Sequence, residues 1–367
     1  MLQRANARVT HAIANRALCP RCRTLLDAAI SCPSCGQSYP CAGGIRVLMP
    51  DPSAHLDHWR MQLGLVIQQA SATNHALKVQ AAERGVGEAT QTRLLALTRA
   101  IAEQVADVAA VLVPAIGDPL PPRENVGLPR GAGDYISCLF RDWAGSNAHD
   151  EENNGSLSAI RRVTRGNDLG RILVLGAGGC RLAYDLHLRC GGTETVVVDV
   201  DPFLLAIAEA VIRGAAVGLT ETSANAPAVE TVSRSWKLSA PAGPLSAAVF
   251  HFFLADGTEP PFADRSFDTV VTPWFIDQVP TDLDALLRRV HGLLAPGGRW
   301  INHGPLIYRP DALPIARWYT RQEIFELAAA SGFRMGAWET AVQPHLVSPL
   351  TGRGLIENVL TFEATRA

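Results

Sequence analysis

The chain has 367 residues, which at roughly 150 residues per domain suggests about two or three domains. Hydrophobic residues make up 47% and charged residues 19%, enough apolar material for a sizeable core and too much for a disordered chain. No window approaches the run of about 18 apolar residues that a spanning helix needs, and the net charge of −2 lacks the basic excess of a nucleic-acid binder. Residues 1–50 nevertheless carry six arginines against Asp27 alone, a local charge of +5. Arg-rich, acid-poor starts occur in organelle transit peptides. A cysteine motif beginning at Cys19, with no apolar secretory stretch before it, favours a basic face on a small module and a cytoplasmic location.

Eight cysteines occur, five of them within residues 19–41. Cys19, Cys22, Cys32 and Cys35 form a C-x-x-C, a nine-residue spacer and a second C-x-x-C. Two such knuckles present four thiolates tetrahedrally to Zn²⁺, and a closed four-thiolate shell is structural, not catalytic. Gly36, directly after the second knuckle, suits the tight turn. Two disulfides would instead require an oxidising compartment that nothing else in the chain supports. Cys41 lies outside the spacing and reads as a spectator. The runs C-P-R-C, C-P-S-C-G-Q-S-Y-P and G-G-I-R-V-L-M-P resemble the zinc ribbons that accompany methyltransferases, including activators of tRNA methyltransferases; the likeness covers residues 17–50. So small a ribbon has little core of its own. Metal binding would supply its folding energy, and the ribbon is expected to dock on the remainder of the chain.

Residues 55–115 read as helix. Leu94, Leu97, Ile101, Val105, Val108 and Leu112 recur at helical spacing on one face, a stripe best read as core packing. Pro114, followed by Pro119, Pro121 and Pro122, is expected to end the helix and begin a connector. A second helix is expected over 135–143, leading into a solvated acidic segment at 150–152.

From Arg171 the pattern changes. Ile172 to Leu175 is a short apolar run suited to a buried parallel strand, followed by Gly176-Ala177-Gly178-Gly179 and a helical stretch over 181–188. Glycines at a strand-to-helix turn let a ligand approach the backbone closely. Residues 195–198 form a second strand ending in Asp199, 23 residues after Gly176, where an acid would hold a ribose hydroxyl pair. A lone Gly-rich turn also suits NAD, so the later order matters. A third strand ends at Asp256-Gly257, a fourth covers 269–272, a helix covers 283–294, and Ala295-Pro296-Gly297-Gly298 turns into a fifth strand.

The L-x-P-G-G before the fifth strand and P-F-x-D-x-S-F-D at 261–268 resemble the S-adenosylmethionine-dependent methyltransferases of the Rossmann-like class. Arg141-Asp142-Trp143, G-A-G-x-x-R-L at 176–182, W-F-I-D at 274–277, I-N-H-G-P-L-I-Y at 301–308 and an insertion over 214–247 together resemble the carnosine N-methyltransferase family. This likeness covers roughly residues 135–335. The implied fold is α/β: a Rossmann-like class I methyltransferase sheet (166–367) behind a zinc ribbon (1–50) and a helical cap with connector (51–165).

The resemblance also implies roles. Arg141 would meet the methionine end of S-adenosyl-L-methionine, a task suited to bidentate guanidinium–carboxylate pairing. Gly176 and Gly178 would line the turn beneath it, Asp199 would hold the ribose, and Asp256, Gly257 and Pro273 would complete the cofactor site. Cys180 stands where a third glycine is usual, which would narrow the approach at the turn. Asp277 corresponds to the family's imidazole-orienting acid: a carboxylate accepting one ring N–H leaves the other nitrogen free to attack. Its bland alternative is a helix-start cap. His303, Tyr308 and Arg309 would border the acceptor. Tyr308-Arg309 departs from the family's tyrosine–histidine, and the aromatic residues usual near the C-terminus are absent around Glu357-Asn358-Val359, so the acceptor itself stays open. Arg309 reads equally as an anion binder or a surface arginine, and His303 as a base or a structural histidine.

The leading expectation is therefore N-methylation of a small molecule or peptide, with no membrane partner. RNA methylation guided by the ribbon, and a catalytically silent binding module, are the alternatives. Nucleic acid is the less favoured partner, and a homo-oligomer stays open.

Overall fold

The computed structural model describes residues 16–26, 30–122, 132–145, 147–310 and 313–367. Strands β1 (Cys41–Ala42) and β2 (Ile45–Leu48) close the ribbon, and helices α1 (Pro52–Ala81), α2 (Glu88–Ile116), α3 (Ala132–Trp143) and α4 (Asn147–Val163) come next. The alternating half comprises β3 (Gly170–Leu175), α5 (Arg181–Arg189), β4 (Gly192–Asp199), α6 (Pro202–Ile212), a hairpin β5 (Val217–Thr222) and β6 (Ser233–Leu238), and β7 (Phe250–Ala255). It continues through β8 (Phe267–Pro273), α7 (Leu283–Leu293), β9 (Leu294–Gly304), α8 (Arg321–Ala330), β10 (Phe333–His345) and β11 (Leu355–Arg366).

The nine-stranded sheet runs β1-β2-β7-β4-β3-β8-β9-β11-β10. From β2 to β9 every neighbouring pair is parallel, while β11 is antiparallel to both β9 and β10. Chain order departs in both directions from β3, which makes this a doubly wound, Rossmann-like sheet whose ligand crevice opens at the carboxyl ends beside β3. The period of two is visible in the packing. Ile172 and Val174 enter one apolar cluster with α3, α5 and α6, whereas Leu173 and Leu175 enter the other with α7 and α8. Burial on both faces is why β3 reads as an unbroken apolar run.

The ribbon is built into this sheet. Arg46, Val47 and Leu48 of β2 pair in parallel with Phe253, Leu254 and Ala255 of β7. Ala17, Cys19, Leu26, Cys32, Tyr39 and Leu48 belong to the same apolar cluster as Phe253, Phe262 and Phe267. A division at residue 50 therefore separates stretches of sequence but cuts through one sheet.

Three expectations change. The helix expected over 55–115 is two, parted by Gly85 (φ +89°) and Gly87, the N-cap of α2. Pro114 does not end α2. It lies in the last turn, which closes at Gly117 (φ +94°), whose N–H bonds to the Val113 carbonyl. The acidic segment at 150–152 is not a solvated end, because α4 continues through it and buries Glu152. The insertion over 214–247 supplies the β5–β6 hairpin, and Gln104 of α2 donates to the Thr220 carbonyl on it at 2.8 Å.

Candidate active site

Two loops at the carboxyl ends of the parallel strands meet on one aromatic ring. In the turn between β3 and α5, Gly176 (φ +70°), Gly178 (+54°) and Cys180 (+66°) all take left-handed backbone, which glycine adopts freely and other residues only at about 1–2 kcal/mol. A Cβ on Gly176 would come within 2.5 Å of the Phe275 ring, and one on Gly257 within 2.9 Å, so both glycines are needed for that ring to seat between the two loops. Gly178 faces open space. Its N–H donates to Asp199 Oδ2 at 2.8 Å, and the Asp201 N–H donates to Asp199 Oδ1 at 3.0 Å. Asp256 is exposed after β7, its Oδ1 accepting from the Thr258 N–H at 2.8 Å and the Thr258 hydroxyl at 2.6 Å. Pro273 closes β8 opposite His303. The structure thus brings Gly176, Gly178, Asp199, Asp256, Gly257 and Pro273 to one edge of the sheet.

Cys180 does not narrow the turn. It adopts the conformation a glycine would take, but its side chain is buried in the apolar cluster against α5, and burial pushes its thiol well up. A thiol so placed is inert.

The end of α3 clamps the same turn. Trp143 Nε1 donates to the Gly179 carbonyl at 2.8 Å, and Arg181 Nη1 donates to the Asp142 carbonyl at 2.7 Å. Arg141 Nε donates to Asp142 Oδ1 at 2.6 Å and stands 3.9 Å from Glu152 Oε1. Asp142 Oδ2 is buried with no donor among the described residues, and a Cβ on Gly179 would overlap it. An orphaned carboxylate oxygen against a glycine turn fits the ammonium of an amino-acid-like ligand, and the neighbouring guanidinium fits its carboxylate. The residues present therefore suit the methionine end of S-adenosylmethionine.

The second half of the site comes after β8. Trp274 takes φ +44°, which Gly304 permits, since a Cβ there would lie 2.9 Å from the Trp274 backbone. The indole Nε1 donates to Glu357 Oε2 at 2.7 Å. Its ring stacks on His345 with centroids 4.8 Å apart and meets His303 edge-on at 4.9 Å. His345 Nδ1 in turn lies 3.2 Å from Glu152 Oε1. A continuous chain, Arg141–Glu152–His345–Trp274–Glu357, links the glycine turn to the far side of the site.

Asp277 is buried, 1% exposed, and it does not cap a helix: α7 begins at Leu283 with Asp282 before it. Its Oδ2 accepts from Gln278 Nε2 at 2.9 Å and from the Ile307 N–H at 3.0 Å. Its Oδ1 is buried with no donor among the described residues. Burial raises its pKa above the usual carboxylate value, and the Glu357 charge adds to the rise. His303 is wholly buried, Nδ1 lies 2.8 Å from Thr361 Oγ1, and burial pushes its pKa down to about 3. It meets the Trp274 ring edge-on as a neutral imidazole, and its Nε2 is buried with no partner among the described residues. Tyr308 donates its hydroxyl to the Tyr319 carbonyl at 3.1 Å, stacks on Trp318, and is raised to about 12 by burial. Arg309 is exposed.

Sequence reasoning missed Asp142, Glu152, His345 and Glu357. Asp142 sits inside the quoted Arg-Asp-Trp motif and was within reach. The other three meet only through long-range packing, Glu152 and His345 being 193 positions apart in the chain.

The four ribbon thiols suit a metal. Cys19 Sγ is 3.6 Å from Cys35 Sγ, Cys22 Sγ is 3.5 Å from Cys32 Sγ, and all four lie within 4.8 Å of one another. A tetrahedral zinc–thiolate centre with bonds of about 2.3 Å sets its sulfurs about 3.8 Å apart. Cys41 is exposed on β1, outside the group. A separate cavity of about 480 Å³ lies between α2, α3, the β5–β6 loop and residues 347–353; none of the candidate site residues lines it.

Residues 223–348 match the family profile described as Carnosine N-methyltransferase. The chain is an S-adenosylmethionine-dependent methyltransferase with a carnosine N-methyltransferase-type segment. That segment contains Asp256, Gly257, Pro273, Asp277, His303 and His345. The glycine turn, Asp199 and the Arg141 clamp precede it. No curated protein matches the methyltransferase. Among solved structures, a candidate S-adenosylmethionine-dependent methyltransferase from Listeria monocytogenes is 12% identical, covering 59% of this chain and 98% of its own, with a TM-score of 0.40. A Mesorhizobium loti S-adenosylmethionine-dependent methyltransferase is 18% identical over 61% of this chain and 100% of its own, with a TM-score of 0.37. A SAM-dependent methyltransferase from Methanosarcina mazei is 17% identical over 56% and 96%, also with a TM-score of 0.37. The fold assignment rests on the strand order. No helix among the described residues is long and apolar enough to cross a membrane.

Proposed function

We propose that this methyltransferase transfers the methyl group to a nitrogen of a small metabolite or peptide, with Asp277 orienting that nitrogen. The observation that carries the reading is the buried Asp277 Oδ1. It has no donor among the described residues, while Oδ2 is held by Gln278 and Ile307. A desolvated carboxylate oxygen so fixed calls for an N–H, and an imidazole, amine or guanidine provides one.

Bound S-adenosylmethionine would supply an electrophilic methyl group on sulfur. The remaining work is positioning. Arg141 and Asp142 would hold the amino-acid end of the cofactor, Asp199 its ribose, and the Asp256–Gly257 loop its base. Asp277 accepts an N–H from the acceptor, which keeps a lone pair on the attacking nitrogen directed away from the carboxylate. Trp274 and Phe275 cover the polar groups with aromatic surface and exclude water around them. Residue 277 is two positions from the ring that seats against Gly176 and Gly257, which supports a short path between cofactor turn and acceptor acid.

Asp277→Asn tests the assignment. The substituted amide keeps a carbonyl oxygen for Gln278 and Ile307 but turns an N–H₂ donor toward the acceptor. The expected result is unchanged S-adenosylhomocysteine affinity by calorimetry, with turnover reduced about a hundredfold or more. Unchanged turnover would remove Asp277 from the mechanism.

A further inference from the structure

The ribbon and the proposed cofactor loop share backbone hydrogen bonds. The Leu18 N–H donates to the Pro261 carbonyl at 2.7 Å, the Ala263 N–H donates to the Arg16 carbonyl at 3.0 Å, and Ala17 bridges Phe262. Cys19, a member of the thiol group, comes two residues after that bridge, and its Sγ is 3.0 Å from the hydroxyl of the buried Tyr39. Tyr39 leads to Pro40, whose carbonyl accepts from the Val47 N–H at 2.9 Å in β2. In β2, Leu48 pairs with Ala255, the residue before Asp256. The loop 256–263 is thus held at both ends by segments that the four cysteines organise. On its other side Arg289 donates to the Pro260 and Phe262 carbonyls at 2.7 Å each.

We infer that the four-cysteine centre is a positioning device for the cofactor site, its metal fixing the loop that carries Asp256 and Gly257. The inference rests on that loop bordering the cofactor, as proposed above. A ribbon of this size draws its folding energy from the metal. Losing the metal frees residues 16–18 and β2 together, and both anchors of the loop go with them. The sheet interior from β4 to β9 keeps its own pairing. Cofactor affinity therefore depends on metal occupancy although no cysteine of the group touches the cofactor.

The experiment uses the full chain. Metal per chain is measured by elemental analysis, S-adenosylhomocysteine affinity by calorimetry, and backbone protection by hydrogen exchange, before and after stripping with a chelator. The expected result is one zinc per chain, and on stripping an affinity loss of about tenfold or more with faster exchange in 256–263 and unchanged exchange in β3 and β4. Leu18→Pro separates positioning from simple loss of folding, since it removes the N–H that bonds Pro261 and leaves every thiol in place. It should keep its zinc, lose a similar factor in affinity, raise the KM for S-adenosylmethionine and leave kcat unchanged. Stripped protein with full affinity and unchanged loop exchange, a chain that never takes up zinc, or Leu18→Pro binding like wild type would each overturn the inference. Failure of zinc-loaded wild type to bind S-adenosylhomocysteine would overturn the cofactor reading beneath it.

Discussion

Asp277 carries one carboxylate oxygen with two donors and one with none among the described residues, in a site where burial raises its pKa. Ionised Asp277 is required to accept the N–H, so the acid limb of kcat/KM should fall above the value of about 4 typical of a free aspartate. An acid limb at or below that value would separate the limb from Asp277. The same elevated pKa means that its contribution to stability is present below the unfolded pKa and is lost as pH rises through the folded one. The desolvation that raises this pKa disfavours the charged native state, so Asp277→Asn should raise Tm, as measured by calorimetric melting, even as it lowers turnover. The two turn glycines should behave differently. Gly176→Ala forces a Cβ into the Phe275 ring and should cost about 1–3 kcal/mol in denaturant unfolding. Gly178→Ala meets no protein atom within 4 Å. It should cost only about 1–2 kcal/mol, for its left-handed backbone, with no added clash, while weakening S-adenosylhomocysteine by about tenfold or more, because its methyl would enter the space left for the ligand.

At the scale of elements, the α3 clamp explains how a helix ahead of the sheet's alternating half joins the site. Trp143 reaches the Gly179 carbonyl, so Trp143→Phe removes one buried donor and should cost about 1–3 kcal/mol, read by urea unfolding with S-adenosylhomocysteine affinity measured in parallel. Loss of affinity beyond the loss of stability would mark the clamp as part of the cofactor site; loss of stability alone would confine it to packing. This scale also shows what could be read from the chain. β3, the glycine turn and the carboxylate ending β4 are local patterns, legible because an apolar run, a left-handed turn and a strand-end acid each occupy a few consecutive residues. The split between α1 and α2 was written at Gly85 and Gly87, but the apolar stripe hid it. Parallel pairing of β2 with β7 joins residues some two hundred positions apart, and no periodicity announces such a partner. The same distance hid His345 and Glu357, which matter only because β10 and β11 return beside β9.

For the whole molecule, ribbon, helical cap and alternating half form one body around the sheet, and acid should unfold it for an identifiable reason. His303 is neutral in the native state, its pKa lowered to about 3, while an unfolded histidine titrates near 6.5. The unfolded chain therefore binds the extra proton between those values, and stability should fall as pH drops through that window. A variant that keeps the Thr361 hydrogen bond without titrating, His303→Gln, should flatten the slope of Tm against pH between about 6.5 and 3. An unchanged slope would assign acid sensitivity elsewhere.

The measurement that bears most directly on the central reading is transfer of a labelled methyl group from S-adenosylmethionine into a fractionated cell extract, run with wild type and with Asp277→Asn. The prediction is label in a nuclease-resistant small-molecule or peptide fraction with wild type, and almost none with Asp277→Asn. Label in nuclease-sensitive material, or equal labelling by both proteins, would contradict it.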